Sequence, residues 1–158
     1  MTKKGKMTKP PTRAAAIPYK YNAEATMRLF LVVTTDEDQR RWTFPKGKFD
    51  REKGDTTLED TAAREAREEA GVKGNTHSKE LMEYPFPKKD GGNRRVLAYL
   101  LAVTEEGLPR EKNDAERDLM WCSAEGALEK LSEKRKPNYR GKMKKVLKKA
   151  LDTLHEQD

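Results

Sequence analysis

The chain has 158 residues, which is enough for one domain and short for two. Hydrophobic residues make up 34% of it and charged residues 39%, so we predict a lean core with some fully solvated segments. The single cysteine, Cys122, excludes an internal disulfide and fits a reducing compartment, and two histidines distant in sequence make a structural zinc site implausible. The longest apolar run, residues 96–103, is far shorter than a membrane span, and no secretory signal precedes it. We therefore expect a soluble, cytoplasmic protein.

The formal charge of +7 is concentrated at the two ends of the chain. Residues 1–20 hold six basic residues and no acid, and residues 130–149 hold ten basic residues and one acid. The intervening part is acidic. Basic ends favour a polyanionic partner, such as nucleic acid, acidic lipid or a small phosphate-rich molecule. The alternative is that these lysines only keep the protein soluble.

The N-terminal segment offers almost nothing to bury. We interpret residues 1–12 as a flexible basic arm that precedes one domain at residues 13–156. Residues 13–19 are apolar but contain Pro18, which predicts a strand that ends at the proline or lies on a sheet edge. Two further strands are predicted, a buried one at residues 27–35 and a brief one at residues 42–45.

The first clear helix is predicted for residues 58–70. Thr57 can be its N-cap, and Asp60 stands at the third position of a capping-box variant. Gly71 is a suitable C-terminal stop.

The second half of the chain continues to mix strands and helices. Strands are predicted at residues 80–86, 95–103 and 120–122, and helices from Ser123 through 131 and over 139–154, with a break at Pro137. Because the order lacks a regular strand–helix–strand rhythm, we predict a mixed α/β or α+β domain.

The predicted helix at residues 58–70 carries the residues with chemical potential. Glu65 and Glu69 lie one turn apart on the same face, and Glu68 lies beside them, one turn from Arg64. Two like charges at this spacing repel unless a cation lies between them, and hard carboxylate oxygens suit Mg²⁺ or Mn²⁺. The alternative is a solvated charged face in which Arg64 pairs with Glu68.

The stretch from Phe44 to Val72 resembles the Nudix box. Its second half matches at every defined position, namely Arg64, Glu65, Ala66, Glu68, Glu69, Gly71 and Val72. Gly47 fits the leading glycine, and Asp55 stands where the pattern has glutamate. Seven residues separate Gly47 from Asp55 instead of five, and eight separate Asp55 from Arg64 instead of seven.

The resemblance implies a mixed β-sheet sandwiched between α-helices and metal-assisted hydrolysis of a phosphoanhydride. On this interpretation Glu65, Glu69 and the Gly47 carbonyl hold Mg²⁺ or Mn²⁺. Glu68 is the general base, steered by the second catalytic residue, Arg64. Asp55 braces Arg64 as structural support of the site. Asp114 and Glu116 are undistinguished candidates for a further metal-binding carboxylate.

Segments outside the box are similar to the diphosphoinositol polyphosphate phosphohydrolase branch, which also hydrolyses diadenosine polyphosphates. They include the strand that starts at Arg13, the Arg41–Trp42 pair, Trp121 and Lys136 before the final helix. The likeness implies a small phosphate-rich substrate and assigns its phosphates to four basic residues, Arg13, Lys46, Arg95 and Lys136. Glu37 and Asp38 depart from the branch, which usually has basic residues there.

Two other functions stay open at this stage. One is removal of pyrophosphate from an RNA 5′ end, with the basic tail as the RNA surface. The other is a non-catalytic Nudix domain that binds a phosphorylated ligand, for which only the altered loop and Asp55 argue. We favour the small substrate because the lysines of the last helix, at positions 142, 144, 145, 148 and 149, are expected to point into solvent while its apolar stripe packs on the domain.

Overall fold

The structure is a computed structural model that describes residues 9–35 and 40–157. Residues 1–8 of the expected arm lie outside the described residues, as do Glu37 and Asp38. Among the described residues, no helix is long and apolar enough to cross a membrane.

The described residues form eight strands, three α-helices and two single-turn 3₁₀ helices. The strands are β1 (Arg13–Tyr21), β2 (Arg28–Thr34), β3 (Trp42–Thr43), β4 (Lys46–Lys48), β5 (Lys73–Thr76), β6 (Met82–Pro87), β7 (Asn93–Glu105) and β8 (Leu119–Cys122). The α-helices are α1 (Leu58–Ala70), α2 (Ala124–Ser132) and α3 (Pro137–Gln157), and the 3₁₀ helices are Arg51–Lys53 and Lys112–Asp114.

All eight strands belong to one mixed sheet built around β1. β1 pairs in parallel with β7 and antiparallel with β2 and β4. β7 also pairs with β5 and β6, and β2 with β3 and β8, all antiparallel. The predicted fold class, a mixed sheet between helices, is confirmed.

Alternate residues of β1 pack on the two faces of the sheet, as the period of a strand requires. Ala14 and Ala16 face α1, and Ala15 and Ile17 face α2 and α3. On the α1 side, β1 contributes Ala14 and Ala16 and the helix contributes Ala62, Ala66 and Ala70, so the contact between these two elements is made by small side chains.

The position of β1 corrects the expectation that Pro18 would end a strand or mark an edge. Pro18 lies inside β1 and pairs with Leu101 of β7. On the opposite side, β4 covers residues 13–15 of β1 and β2 covers residues 19–21. Pro18 therefore lies opposite the gap between β4 and β2. No hydrogen bond between strands is lost there, although proline has no N–H to donate.

The last helix begins earlier than predicted. Pro137 is its first residue instead of a break before it, which suits a proline because the first turn of a helix needs no N–H donor there. Helix α1 has the predicted bounds.

Candidate active site at the N-terminal end of β4

Helix α1 is fixed at both ends by the residues that the sequence indicated. Thr57 accepts a hydrogen bond from the Asp60 N–H, and the Asp60 side chain accepts one from the Thr57 N–H. Gly71 ends the helix in the left-handed conformation, with φ of 66°. Between them, the buried face of α1 lies against β1 and β4, which places the helix carboxylates beside the backbone of β4.

Glu65 and Glu69 project from α1 onto the β4 backbone. The Lys46 N–H donates to Glu69 Oε1 at 3.3 Å. Gly47 lies so close to Glu65 that a Cβ at position 47 would come within 1.9 Å of Oε2. Both carboxylates are nearly buried, and only a residue without a side chain leaves room for Glu65 in this position.

Burial raises the pKa of both carboxyl groups. For Glu65, the charge of Arg64 opposes this effect, and for Glu69 the charge of Arg117 does so while Glu65 adds to it. Two adjacent carboxylates that are partly withdrawn from water gain most from a bound cation. The oxygens of Glu65 and Glu69 and the Gly47 backbone therefore fit Mg²⁺ or Mn²⁺ in donor type.

The carboxylates of this site do not form a complete cage. Within the described residues, no group of three His, Cys, Asp or Glu side chains is arranged to hold a metal ion. A site with two carboxylates suits Mg²⁺, which usually keeps several waters and binds substrate phosphates as further ligands.

Arg64 connects the box residues to one another. Its Nε and Nη2 donate to the two oxygens of Asp55 at 3.0 and 2.8 Å, and Nη2 also donates to the Lys48 carbonyl at 3.0 Å. Its Nη1 lies 3.0 Å from Glu65 Oε2 and 3.3 Å from Glu68 Oε1. The guanidinium thus holds both of these α1 carboxylates in place.

Asp55 is nearly inaccessible to solvent, at 2% exposure. Burial alone would raise the pKa of its carboxyl group, but hydrogen bonds from Arg64, the Asp50 N–H and the Thr61 hydroxyl hold this pKa below its usual value. Asp55 therefore contacts Arg64 through both carboxylate oxygens, although it is shorter than the glutamate of the Nudix pattern and stands at a different spacing. The segment between Gly47 and Asp55 contains the 3₁₀ turn Arg51–Lys53.

Two further residues, Asp114 and Arg117, belong to the site. From the sequence, Asp114 is one of two candidate metal ligands and Arg117 is not identified. Arg117 Nη2 lies 3.8 Å from Glu69 Oε2, and its Nε donates to Asp114 Oδ1 at 2.6 Å. The charge of Asp114 contributes to the raised pKa of Glu69, whereas Glu116 is exposed. Asp114 and Arg117 are three positions apart, which is the spacing of an opposite-charge pair across one helical turn. This spacing is the sequence signal for their ion pair.

Of the residues predicted to bind phosphate, Lys46 lies nearest to the carboxylates. Its ammonium lies 3.8 Å from the centre of the Phe86 ring. Burial and the charges of Arg135, Arg117 and Arg13 lower the pKa of Lys46, and the charge of Glu69 opposes them. Lys46 lines a cavity of about 480 Å³, which we call the proximal cavity, together with Phe86, Pro87, Lys88, Lys89, Asp90 and Arg94.

Arg95 does not line the proximal cavity. It forms a two-pronged ion pair with Glu83, with N–O distances of 2.6 and 2.8 Å, and also contacts the Lys9 carbonyl. Its neighbour Arg94 lines the cavity instead, because successive residues of a strand point to opposite faces. Arg13 is close enough to Arg94 for the two charges to repel, which adds to the effect of burial in lowering the pKa of Arg13.

Lys136 lies in a second cavity of about 510 Å³, the distal cavity, beside the hairpin of β6 and β7. Seven basic residues and no acidic residue are among its described lining, namely Arg41, Lys88, Lys89, Lys134, Arg135, Lys136 and Lys142. Arg135 stacks at 4.7 Å from the centre of the Phe86 ring and 5.3 Å from that of Tyr139. Lys142 was expected to point only into solvent, but it also borders this cavity.

The cysteine and both tryptophans lie in or against the core. Cys122 is buried, and Trp42 packs against the core on the α2 side while Trp121 packs on the α1 side.

Comparisons with known proteins agree with this fold. No curated protein matches the chain. Among solved structures, an Ap4A hydrolase from C. elegans in a binary complex is similar over 91% of this chain and 97% of its own, with a TM-score of 0.70 and 20% identity. The NUDIX domain of Shewanella oneidensis NrtR, complexed with ADP ribose, gives a TM-score of 0.66 at 16% identity, over 94% of this chain and 90% of its own. A NUDIX hydrolase from Nitrosomonas europaea gives 0.66 at 15% identity, over 92% and 90%.

At these identities, the similar structures establish the fold. The family is established by the sequence profile described as NUDIX domain, which matches residues 10–144 and thus includes the whole site described above. The chain therefore belongs to the NUDIX domain family.

Proposed function

We propose that this protein is a divalent-metal-dependent hydrolase of phosphoanhydride bonds in a small, phosphate-rich substrate. The observation that carries the proposal is the position of Glu65 and Glu69 against the backbone of Lys46 and Gly47. These two carboxylates and the Gly47 carbonyl would hold Mg²⁺ or Mn²⁺. A bound cation would screen the phosphate charge and lower the pKa of a water ligand.

Glu68 is the residue that we assign as general base. It lies between Glu65 and Glu69 in sequence, and one of its oxygens, Oε1, is held by Arg64 at 3.3 Å. The contacts described for Glu68 are made at Oε1, and we assign its other oxygen, Oε2, to the attacking water molecule. We expect Glu68→Gln to lower kcat by roughly 10²–10⁴, the usual scale for loss of a general base.

The phosphates of the substrate are assigned to basic residues around the two cavities. Lys46 and Arg94 would hold the group nearest to the carboxylates, and Arg13 adds charge behind them. Lys136 and its neighbours would hold phosphates further away. Basic groups on both sides of the reacting bond would orient it for attack.

The linings of the cavities favour a compact, densely phosphorylated substrate, such as a diphosphoinositol polyphosphate. The aromatic residues among the described lining are Phe86 and Tyr139, and cations stack on both rings. Both rings are also buried, at 9% exposure for Phe86 and 4% for Tyr139, so these lining residues offer no exposed aromatic face to a nucleobase. A diadenosine polyphosphate such as Ap4A, for which the similar C. elegans hydrolase is named, is the second small substrate to test.

An RNA 5′ end is the second candidate function. Lys142 connects the distal cavity with the exposed lysines of α3, so a longer polyanion would find basic groups beyond the cavity. Non-catalytic binding is less well supported, because Glu65, Glu68 and Glu69 are all present and held in place.

A panel of pyrophosphates with product identification tests the proposal. Diphosphoinositol polyphosphate, diadenosine polyphosphate and 5′-triphosphorylated RNA are incubated with Mg²⁺ or Mn²⁺, with excess chelator, and with the Glu69→Gln variant. We expect turnover of a small substrate that requires metal and is abolished by the substitution. Full turnover in chelator or in the variant would contradict the metal assignment, and binding without product would support the non-catalytic alternative.

A further inference from the structure

The loop between β4 and α1 departs from the Nudix pattern in length, and the additional residues are ordered. This loop contains the 3₁₀ turn Arg51–Lys53, which follows β4, and Lys53 lines a cavity together with Arg64 of α1. Its last residue, Lys53, reaches Glu68. We propose that Lys53 is a positioning residue that holds the Glu68 carboxylate in its working orientation. This inference rests on the proposed function, in which Glu68 is the general base.

The turn is anchored to α1, so the position of Lys53 is defined. The Asp50 side chain accepts a hydrogen bond from the Glu52 N–H at 3.0 Å and caps the turn. Gly54 ends the turn with φ of 98°, a conformation that favours glycine, and its N–H donates to the Arg51 carbonyl. The next residue is the buried Asp55, which binds both the Asp50 N–H and Arg64 of α1.

Lys53 and Arg64 contact the same oxygen of Glu68. The Lys53 ammonium lies 3.7 Å from Oε1, and Arg64 Nη1 lies 3.3 Å from it. The two cations come from different segments, one from the loop and one from the helix. Together the two cations hold Oε1 of Glu68 from two sides of the chain's fold, the loop and the helix.

Lys53 is not placed to act on the metal ligands or on the substrate cavities. It has no described contact with Glu65 or Glu69, and it does not line the proximal or the distal cavity. Its side chain is 49% exposed, and ion pairs of such exposed lysines contribute little to folding stability. The effect of Lys53 should therefore appear in the rate and not in the stability of the fold.

The test is a pair of methionine variants, since methionine keeps most of the length of the lysine stem without its charge. We expect Lys53→Met to lower kcat about two- to fivefold, on the scale of a single exposed ion pair, with unchanged KM. Lys53→Arg should restore the rate. Lys73→Met is the matched control, because Lys73 lines the same shallow cavity beside α1 but has no acidic partner among the described residues. It should leave kcat unchanged.

The decisive measurement repeats Lys53→Met in a Glu68→Gln background, by single-turnover kinetics with excess enzyme. If Lys53 acts through Glu68, the second substitution causes no further loss. Mn²⁺ affinity, measured by titration calorimetry, and the midpoint of urea unfolding should both match the parent protein.

Three results would overturn the inference while the proposed function stands. They are an unchanged kcat in Lys53→Met, a raised KM that persists in the Glu68→Gln background, and an equal loss in both backgrounds with a lower unfolding midpoint. The second result would make Lys53 a substrate contact, and the third a residue needed only for folding of the loop. If the wild-type protein hydrolyses no pyrophosphate, the proposed function fails, and the inference fails with it.

Discussion

The backbone of Gly47 lies directly against the carboxylate of Glu65. A Cβ at position 47 would come within 1.9 Å of Oε2 and 2.2 Å of Cδ. This contact ties a glycine of β4 to a carboxylate of α1, and it explains why two segments that are 18 positions apart in the sequence act as one site.

The first prediction concerns this contact. Gly47→Ala should displace Glu65 and lower both Mn²⁺ affinity and kcat by at least about tenfold, since metal ligands must stay in position. Titration calorimetry and steady-state kinetics measure the two effects. Gly141→Ala, on the exposed side of α3 with no atom near the added Cβ, is the control and should leave both quantities unchanged. Wild-type metal affinity in Gly47→Ala would show that Glu65 is not a ligand.

The second prediction concerns the buried pair of Asp55 and Arg64. Asp55→Ala would leave the guanidinium, whose side chain is only 13% exposed, without its bidentate partner. Removing one partner of a buried ion pair costs about 3–5 kcal/mol, so we expect a loss of that order in the free energy of unfolding, measured by urea denaturation. Activity should fall as well, because Arg64 holds Glu65 and Glu68. Unchanged stability would mean that this contact contributes nothing to the fold.

The same pair predicts how stability depends on pH. The pKa of Asp55 is lowered in the folded protein, so the folded state binds fewer protons than the unfolded state at this group. Its contribution is fully present above the ordinary carboxyl pKa of about 3.9 and is lost as the pH falls through the lowered pKa. The difference in unfolding free energy between wild type and Asp55→Ala should therefore shrink below about pH 4.

The sequence predicted the parts of the molecule whose signals are local. Helix α1 has the predicted bounds because its capping residues, Thr57 and Gly71, act within one turn. The box residues on α1 could be recognised in the same way, because their spacing along a helix is fixed. The central position of β1 could not be predicted, because whether Pro18 is tolerated depends on where β2 and β4 end.

Contacts between distant segments account for the missed part of the site. Arg117 reaches Glu69 from a loop 48 positions later, and nothing in its neighbourhood marks it as part of an active site. Which of Arg94 and Arg95 lines the proximal cavity depends on which face of the sheet each residue of β7 points to. A shift of one residue in the strand register would exchange the two arginines.

The third prediction separates these two arginines. Arg94→Ala should raise KM for the small substrate about tenfold, since Arg94 lines the proximal cavity and a phosphate contact is a charge-assisted hydrogen bond. Arg95→Ala should leave KM unchanged, because the guanidinium of Arg95 is engaged by Glu83. The opposite pattern would make Arg95 the substrate contact, as the sequence resemblance implies.

The last prediction distinguishes a compact substrate from RNA. Lys136→Ala should raise KM for a diphosphoinositol polyphosphate or a diadenosine polyphosphate, because Lys136 lines the distal cavity. Lys145→Ala should not, because Lys145 lies on the exposed side of α3, away from both cavities. The affinity for a compact ligand should weaken modestly with salt, whereas RNA binding falls by about 0.7 log units per log unit of salt for each phosphate contacted. Both variants are measured on the small substrates and on 5′-triphosphorylated RNA over a range of salt concentrations. Faster processing of the RNA, with a steep salt dependence and sensitivity to Lys145→Ala, would replace the small-molecule assignment with the RNA one.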